Sequence, residues 1–297
     1  MRLEPIEFRV DDDLLRGDLY RPESETRPPV VVMGHGFGAE RRFRLPAFAE
    51  RLCAAGLAVL LFDYRGFGDS EGTPRGLVDP GRHLADFAAA VRCARNLADV
   101  DSARLALWGT SLSGGHVLVT AARLPGITAV VAQVPHVDGL ASALRYPLRL
   151  LPGATWRALR DLVAAALGRE PVRVPIISPT GVRCLAAPDC YEGYRRLIPP
   201  GAVWQETVPA RILLTILGYR PIRIVRRIQA PVLIIAAEQD SLIPLAATRK
   251  TAARIAHCQF EALPIGHFDH LYEGPWFERS IALQIAFLRR HLGLERL

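Results

Sequence analysis

A chain of 297 residues with half of its side chains apolar can bury a sizeable core, which excludes a disordered chain. Its net charge of +7 is unevenly placed, because residues 137–228 hold fourteen arginines against six acids and leave the remainder at −1. These arginines are scattered and no nucleic-acid motif accompanies them, so the excess reads as the solvated face of a helical insertion and no nucleic-acid partner is expected, with acidic substrates, an anionic surface or nucleic acid as the functional alternatives.

The opening stretch MRLEPIEFRVDDD lacks the apolar core of a signal peptide, and the longest apolar run, residues 56–62, is far short of a membrane span. A cytoplasmic protein is expected. Five cysteines, an odd number with no CxxC spacing, argue against a disulfide framework and against a zinc site. In chain order, the alternating segments 6–10 and 14–20 flank three aspartates and predict a hairpin. Apolar runs at 30–33, 58–62, 105–108, 127–134, 232–237 and 259–263 then predict strands, separated by helical patterns. The first helix aligns Leu45, Phe48 and Leu52 and stops at Gly56. A second starts from Asp79 as N-cap with Pro80 at its first position, and aligns Leu84, Phe87, Val91 and Ala94. The last follows Pro275 and aligns Phe277, Ile281, Ile285 and Leu288. Such alternation implies an α/β fold with a mostly parallel central sheet and helices on both faces. It breaks once. Residues 137–228 carry proline-interrupted helical patterns at 156–167 and 209–218 and no convincing strand pair, which predicts an inserted helical cap on a core of residues 1–136 and 229–297.

A parallel sheet places its active site at the carboxyl ends of its strands. There the loops offer Ser111, Asp240 and His267, in that chain order, and these supply a nucleophile, an acid to hold the imidazole and a base. Asp138 is the alternative acid. His267 and His270, three apart, could share a metal, but no ligand cluster accompanies them. The glycine-rich stretches GHGFG and RGFGDSEG complete neither GxGxxG nor a phosphate-binding loop, so a nucleotide cofactor is not expected.

The stretch GTSLSG resembles the nucleophile elbow of the α/β-hydrolase superfamily, and the order Ser, Asp, His is the order that superfamily uses. MGHGFGAE at residues 33–40 resembles its HGxG loop, and FDYRGFGDSEG at 62–72 resembles the loop after the next strand. The likeness covers the chain from residue 30 to the last helix, the insertion excepted. It looks nearest to the branch with serine aminopeptidases, dienelactone-hydrolase-like proteins and capped acyl-ester hydrolases. One departure from GxSxG is Ser113 in place of the second glycine; that site needs a small side chain, and Ser111 is preferred as nucleophile because it lies two residues after Gly109 at the strand end.

The resemblance implies an oxyanion hole from the backbone amides of Phe37 and Leu112, with Gly34, Gly36 and Gly38 allowing close approach. Tyr64 and His136, each following a strand, are expected to touch substrate. Trp156, Tyr191, Tyr194 and Trp204 are candidates for pocket lining or for cap core. The expected activity is hydrolysis of a small-molecule ester through an acyl-enzyme, with no cofactor and no metal. Peptidase, amidase, thioesterase and acyltransferase chemistry use the same residues, and a non-catalytic binding protein on this scaffold is the rival from another class. The expected partner is a small-molecule acyl substrate, and a homodimer is left open.

Overall fold

The N-terminal segments pair as an antiparallel hairpin, β1 (Arg2–Val10) and β2 (Asp13–Arg21), turned at Asp11 with φ 51°. This computed structural model describes residues 1–294. The chain continues through β3 (Pro29–Gly34), α1 (Leu45–Ala54), β4 (Ala58–Phe62), α2 (Pro80–Arg95), β5 (Asp101–Thr110), α3 (Leu112–Arg123) and β6 (Ala129–Gln133). After β6 it leaves the sheet for α4 (Gly139–Ala143), α5 (Leu151–Ala166), β7 (Arg173–Pro175), α6 (Cys190–Arg195), β8 (Thr207–Pro209) and α7 (Ile212–Thr215). It returns with β9 (Val232–Ala237), α8 (Leu245–Ala252), β10 (Cys258–Leu263) and α9 (Pro275–His291).

Eight strands form one sheet in the order β1-β2-β4-β3-β5-β6-β9-β10. Only β1 and β2 run antiparallel to their neighbours; from β4 to β10 every pairing is parallel. Helices cover both faces, so β3, β4, β6 and β9 are buried along their whole length, which is why β3, β4 and β9 are written as unbroken apolar runs and β6 as one that ends in the hydrogen-bonded Gln133. β10, on the edge, is only half-buried over most of its residues.

Helix ends follow the sequence signals. The Asp79 carboxylate accepts hydrogen bonds from the amides of Gly81 at 2.7 Å and Arg82 at 3.0 Å, capping α2. Gly56, with φ 92°, ends the turn after α1. One difference lies on α2, which buries His83 and Asp86 with Phe87, Val91 and Ala94 while Leu84 is only half-buried. On α9 the polar Ser280 and Gln284 are buried too. There they are satisfied: Gln284 accepts from the Trp108 indole at 2.6 Å and donates to Gln133 at 2.5 Å and to Ser280 at 2.9 Å.

A second difference is the pairing of β7 with β8 between β6 and β9, where no strand pair was expected. Each is three residues long and contains or adjoins proline, too short for alternation to show. Among the described residues, no helix is long and apolar enough to cross a membrane.

Candidate active site

The turn from β5 into α3 forces Ser111 to φ 54° and ψ −117°, a left-handed conformation that a non-glycine residue adopts only when its surroundings impose it. They do so through its own backbone: the Ser111 amide donates to Gln133 O at 2.9 Å, and the Ser111 carbonyl accepts from His136 N at 2.8 Å. The tightness of the turn also dictates its glycine. A Cβ on Gly109 would stand 2.2 Å from the Ser113 carbonyl oxygen, in the backbone of the facing helix. Gly109→Ala is therefore expected to lower unfolding free energy by about 3 kcal/mol, at the upper end of overpacking costs, as read by urea denaturation.

Two further strand ends meet the turn. Asp240, after β9, accepts from His267 Nδ1 at 2.8 Å and from the amides of Leu242 and Ile243, both at 2.8 Å. Burial pushes the Asp240 carboxyl up, but His267 and the two amides outweigh it and hold the group below its ordinary range. With Nδ1 donating to Asp240, His267 presents Nε2 as acceptor to the Ser111 hydroxyl, 3.1 Å away. Asp240 and His267 are both buried, whereas Ser111 is partly open.

The loop after β3 lies against the same point. Among the described residues, neither the Phe37 amide nor the Leu112 amide donates to another group. Leu112 is the first residue of α3, whose amide has no helical partner. The Phe37 loop is pinned from both ends: the Arg41 amide donates to Asp63 at 2.6 Å, and the Tyr194 hydroxyl donates to the Phe37 carbonyl at 3.0 Å.

Two cavities open on Ser111. The larger, about 610 Å³, is walled by Leu112, Phe37 and side chains between β6 and β9, among them Leu144, Leu213 and Leu217. Among the described residues, its only charged lining residue is Arg145. The smaller, about 40 Å³, lies on the His267 side between Gly36, Tyr194 and Phe268.

Of the other expected site residues, His136 lines the larger cavity, but Tyr64 does not reach either one. Tyr64 is wholly buried, stacked on His83 with ring centroids 4.3 Å apart, and its hydroxyl is hydrogen-bonded to Ser113 at 2.5 Å. The expectation of substrate contact is corrected: the chain turns inward after β4, so Tyr64 braces the elbow from beneath. Ser113 also donates to the His35 carbonyl, which gives its hydroxyl a structural use where the superfamily pattern has glycine. Asp138 is paired with Arg220 through two contacts of 2.8 Å and caps α4, leaving Asp240 to His267. Of the four aromatic candidates, Tyr194 is buried beside the smaller cavity, Trp204 packs on Phe43 and Tyr194, and Trp156 is exposed. Tyr191 holds Arg195 through its hydroxyl. Among the described residues no cluster of His, Cys, Asp and Glu is suited to a metal. Sequence reasoning did not single out the Tyr194 to Phe37 bond, since nothing local links positions so far apart.

A family model described as X-Pro dipeptidyl-peptidase (S15 family) matches residues 11–272. The chain is 43% identical to the quorum-quenching protein AidA of Acinetobacter baumannii over 287 residues, covering 96% of this chain and 94% of that one. It is 32% identical to the thiohydrolase aneE of Aspergillus aculeatus over 185 residues, 60% of this chain and 56% of the relative. Among solved structures it resembles the α/β hydrolase GrgF from Penicillium sp. sh18, with TM-score 0.83 and 23% identity across 99% of this chain and 100% of that one.

Proposed function

Because this chain belongs to the X-Pro dipeptidyl-peptidase (S15) family, within the α/β-hydrolase superfamily, we propose that it hydrolyses carboxylic esters of apolar acyl groups, in the cytoplasm, through an acyl-enzyme. The observation that supports this most is the hydrogen-bonded series Ser111, His267, Asp240 opening on a mostly apolar chamber. Residues 137–228 act as a cap over the core of residues 1–136 and 229–294, the last three residues of the expected core lying outside the described ones, and cap side chains shape the acyl site.

In this reading the Ser111 hydroxyl attacks the acyl carbonyl while its proton passes to His267 Nε2. Asp240 keeps the imidazole in the tautomer that can accept it and stabilises the imidazolium. The amides of Phe37 and Leu112 receive the negative oxygen. As the tetrahedral species collapses, the alcohol departs with the proton returned by His267. Water then enters on the His267 side and repeats the sequence on the acyl-enzyme; the 40 Å³ cavity exceeds the roughly 10–15 Å³ that one water requires.

The chamber chemistry favours an acyl chain over a peptide. A peptide's free ammonium would enter a space whose one charged lining group is Arg145, with no carboxylate to receive it. Thioesters of the same acyl groups are the second class supported, because the Aspergillus relative is named a thiohydrolase.

A fluorophosphonate should label the protein at Ser111 and fail on Ser111→Ala. Across esters of one alcohol with lengthening straight acyl chains, kcat/KM should climb about fourfold per methylene, the transfer free energy of one buried CH₂, until the chamber is full. A flat profile would remove the chamber as the acyl site.

A further inference from the structure

Helix α5 is inside out. It buries Ala154, Ala158, Ala164 and Asp161, and turns its large apolar residues outward. Trp156, Leu159, Val163 and Leu167 recur at helical spacing along one exposed face, opposite the buried alanines. Of the thirteen exposed large apolar side chains among the described residues, nine fall between positions 140 and 167, so this is one patch and not the ordinary scatter of a surface. The patch is strongly exposed, with Leu144 at 88%, Leu148 at 81% and Trp156 at 63%.

The charge around it is mostly of one sign, the exposed acid Glu170 lying beyond the helix end. Arg145, Arg149, Arg157 and Arg160 are exposed, and among the described residues none of them is in an ion pair. The acid on this helix, Asp161, is buried and held by Arg211 at 2.6 Å. A second copy of the chain meeting this face through a two-fold axis would set four arginines against four arginines, with Glu170, past the helix end, as the exposed carboxylate nearest in the chain. An anionic lipid surface offers what both features need, an apolar layer for Trp156 and its neighbours and phosphates for the guanidiniums above it.

The face is also continuous with the chamber. Leu140, Leu144 and Leu151 are exposed on the patch and line the chamber wall at the same time. We propose that α5 and the turn before it dock the protein on anionic lipid surfaces, with the chamber mouth held at the interface. An apolar acyl substrate dissolved in the lipid then reaches the chamber without crossing water.

Flotation with vesicles tests this whether or not Ser111 turns over any ester. The intact protein is mixed at low salt with phosphatidylcholine vesicles, or with the same vesicles containing phosphatidylglycerol. Binding is expected to be about tenfold tighter or more to the anionic vesicles, weakened by salt, and lost by about tenfold or more in Arg149→Glu/Arg160→Glu and in Trp156→Asp. Those positions line neither cavity, so both variants should keep the circular dichroism spectrum and the turnover of a short, water-soluble ester. Equal binding to both vesicle types, or none to either, overturns the proposal. So does a concentration-dependent dimer that Trp156→Asp converts to monomer in a protein that does not float, because the patch is then a subunit interface.

Discussion

Turnover of the best ester is expected to fall by about 10⁴- to 10⁶-fold in Ser111→Ala, with KM changed by only a few-fold, in a stopped or continuous ester assay. The size follows from what is lost. Without the hydroxyl there is no acyl-enzyme, and only the chamber and the amides of Phe37 and Leu112 remain to favour direct attack by water. His267→Ala should fall into the same range, because a serine hydroxyl with no acceptor for its proton is a poor nucleophile. Asp240→Asn should cost about 10⁴-fold: asparagine can offer its amide N–H to the ring and so favour the wrong tautomer. The losses should not multiply. Ser111→Ala/His267→Ala is expected to be no worse than either single change, since each already removes the same proton transfer. Two controls sharpen the assignment. Ser113→Ala should keep turnover within about tenfold while losing about 1–3 kcal/mol of stability through the orphaned Tyr64 hydroxyl. Asp138→Asn should weaken the Arg220 link and leave turnover in place. Turnover that survives Ser111→Ala but vanishes in Ser113→Ala would reverse the choice of nucleophile.

The fold was legible because its strands are buried on both faces. A run such as residues 232–237 has no polar member to confuse the pattern, and β9 has those same bounds. β5 begins four residues before its apolar run: Asp101 pairs with Pro29, and residues 102–104 form an irregularity before Leu105 takes up the register opposite Val30, at a partly exposed end where composition carries no signal. The site was legible for a related reason. Parallel strands deliver their following residues to one edge, so Ser111, Asp240 and His267 could be picked by position before any distance was known. What stayed hidden depends on direction and not on position. Tyr64 also follows a strand, but its loop turns under the elbow, and the sequence does not say which way a side chain faces after a strand ends. The alanines of α5 were hidden in the opposite sense. A pattern that matches hydrophobicity to burial assigns Trp156 and Leu159 to the inside, and the fold buries the small residues instead.

Buried histidines on α2, on α3 and in the turn between β10 and α9 carry the second large effect, which is on stability. His83, His116 and His270 are buried almost completely. Burial is the main reason that each ring resists its proton, and neighbouring imidazoles add to it: His116 and His35 for His83, His136 and His35 for His116, and His267 for His270. His116 and His270 are pushed down from an ordinary 6.5 to about 3, and His83 falls well below its ordinary value. An unfolded chain has no such burial and protonates these rings as pH drops through 6.5. Between there and about 3 the unfolded state binds protons that the folded state refuses. The stability is thus complete above pH 6.5 and lost on acidification, at about 1.4 kcal/mol per pH unit for each ring, or about 4 for the three. Asp86 works the other way. Burial raises it from 3.8 to about 6, against the pull of Arg65, so over part of the same range the folded state holds a proton that the unfolded state releases, returning about 1.4 kcal/mol per unit. Asp240, held below its ordinary range, adds its own loss only at lower pH. His136, which burial pushes down to about 4, adds one more ring's loss over the upper part of this range, so the net expectation is a fall of about 4 kcal/mol in unfolding free energy from pH 5.5 to 4.5, measured by urea titration at each pH. Domains of this kind hold about 5–15 kcal/mol in all, so the protein should unfold between about pH 5 and 3 with no reagent added. Replacing a ring by an amide that cannot titrate isolates the cause: His116→Gln and His270→Gln should each flatten the slope by about 1.4 kcal/mol per unit. If both variants keep the parent slope, the acid sensitivity does not come from these rings.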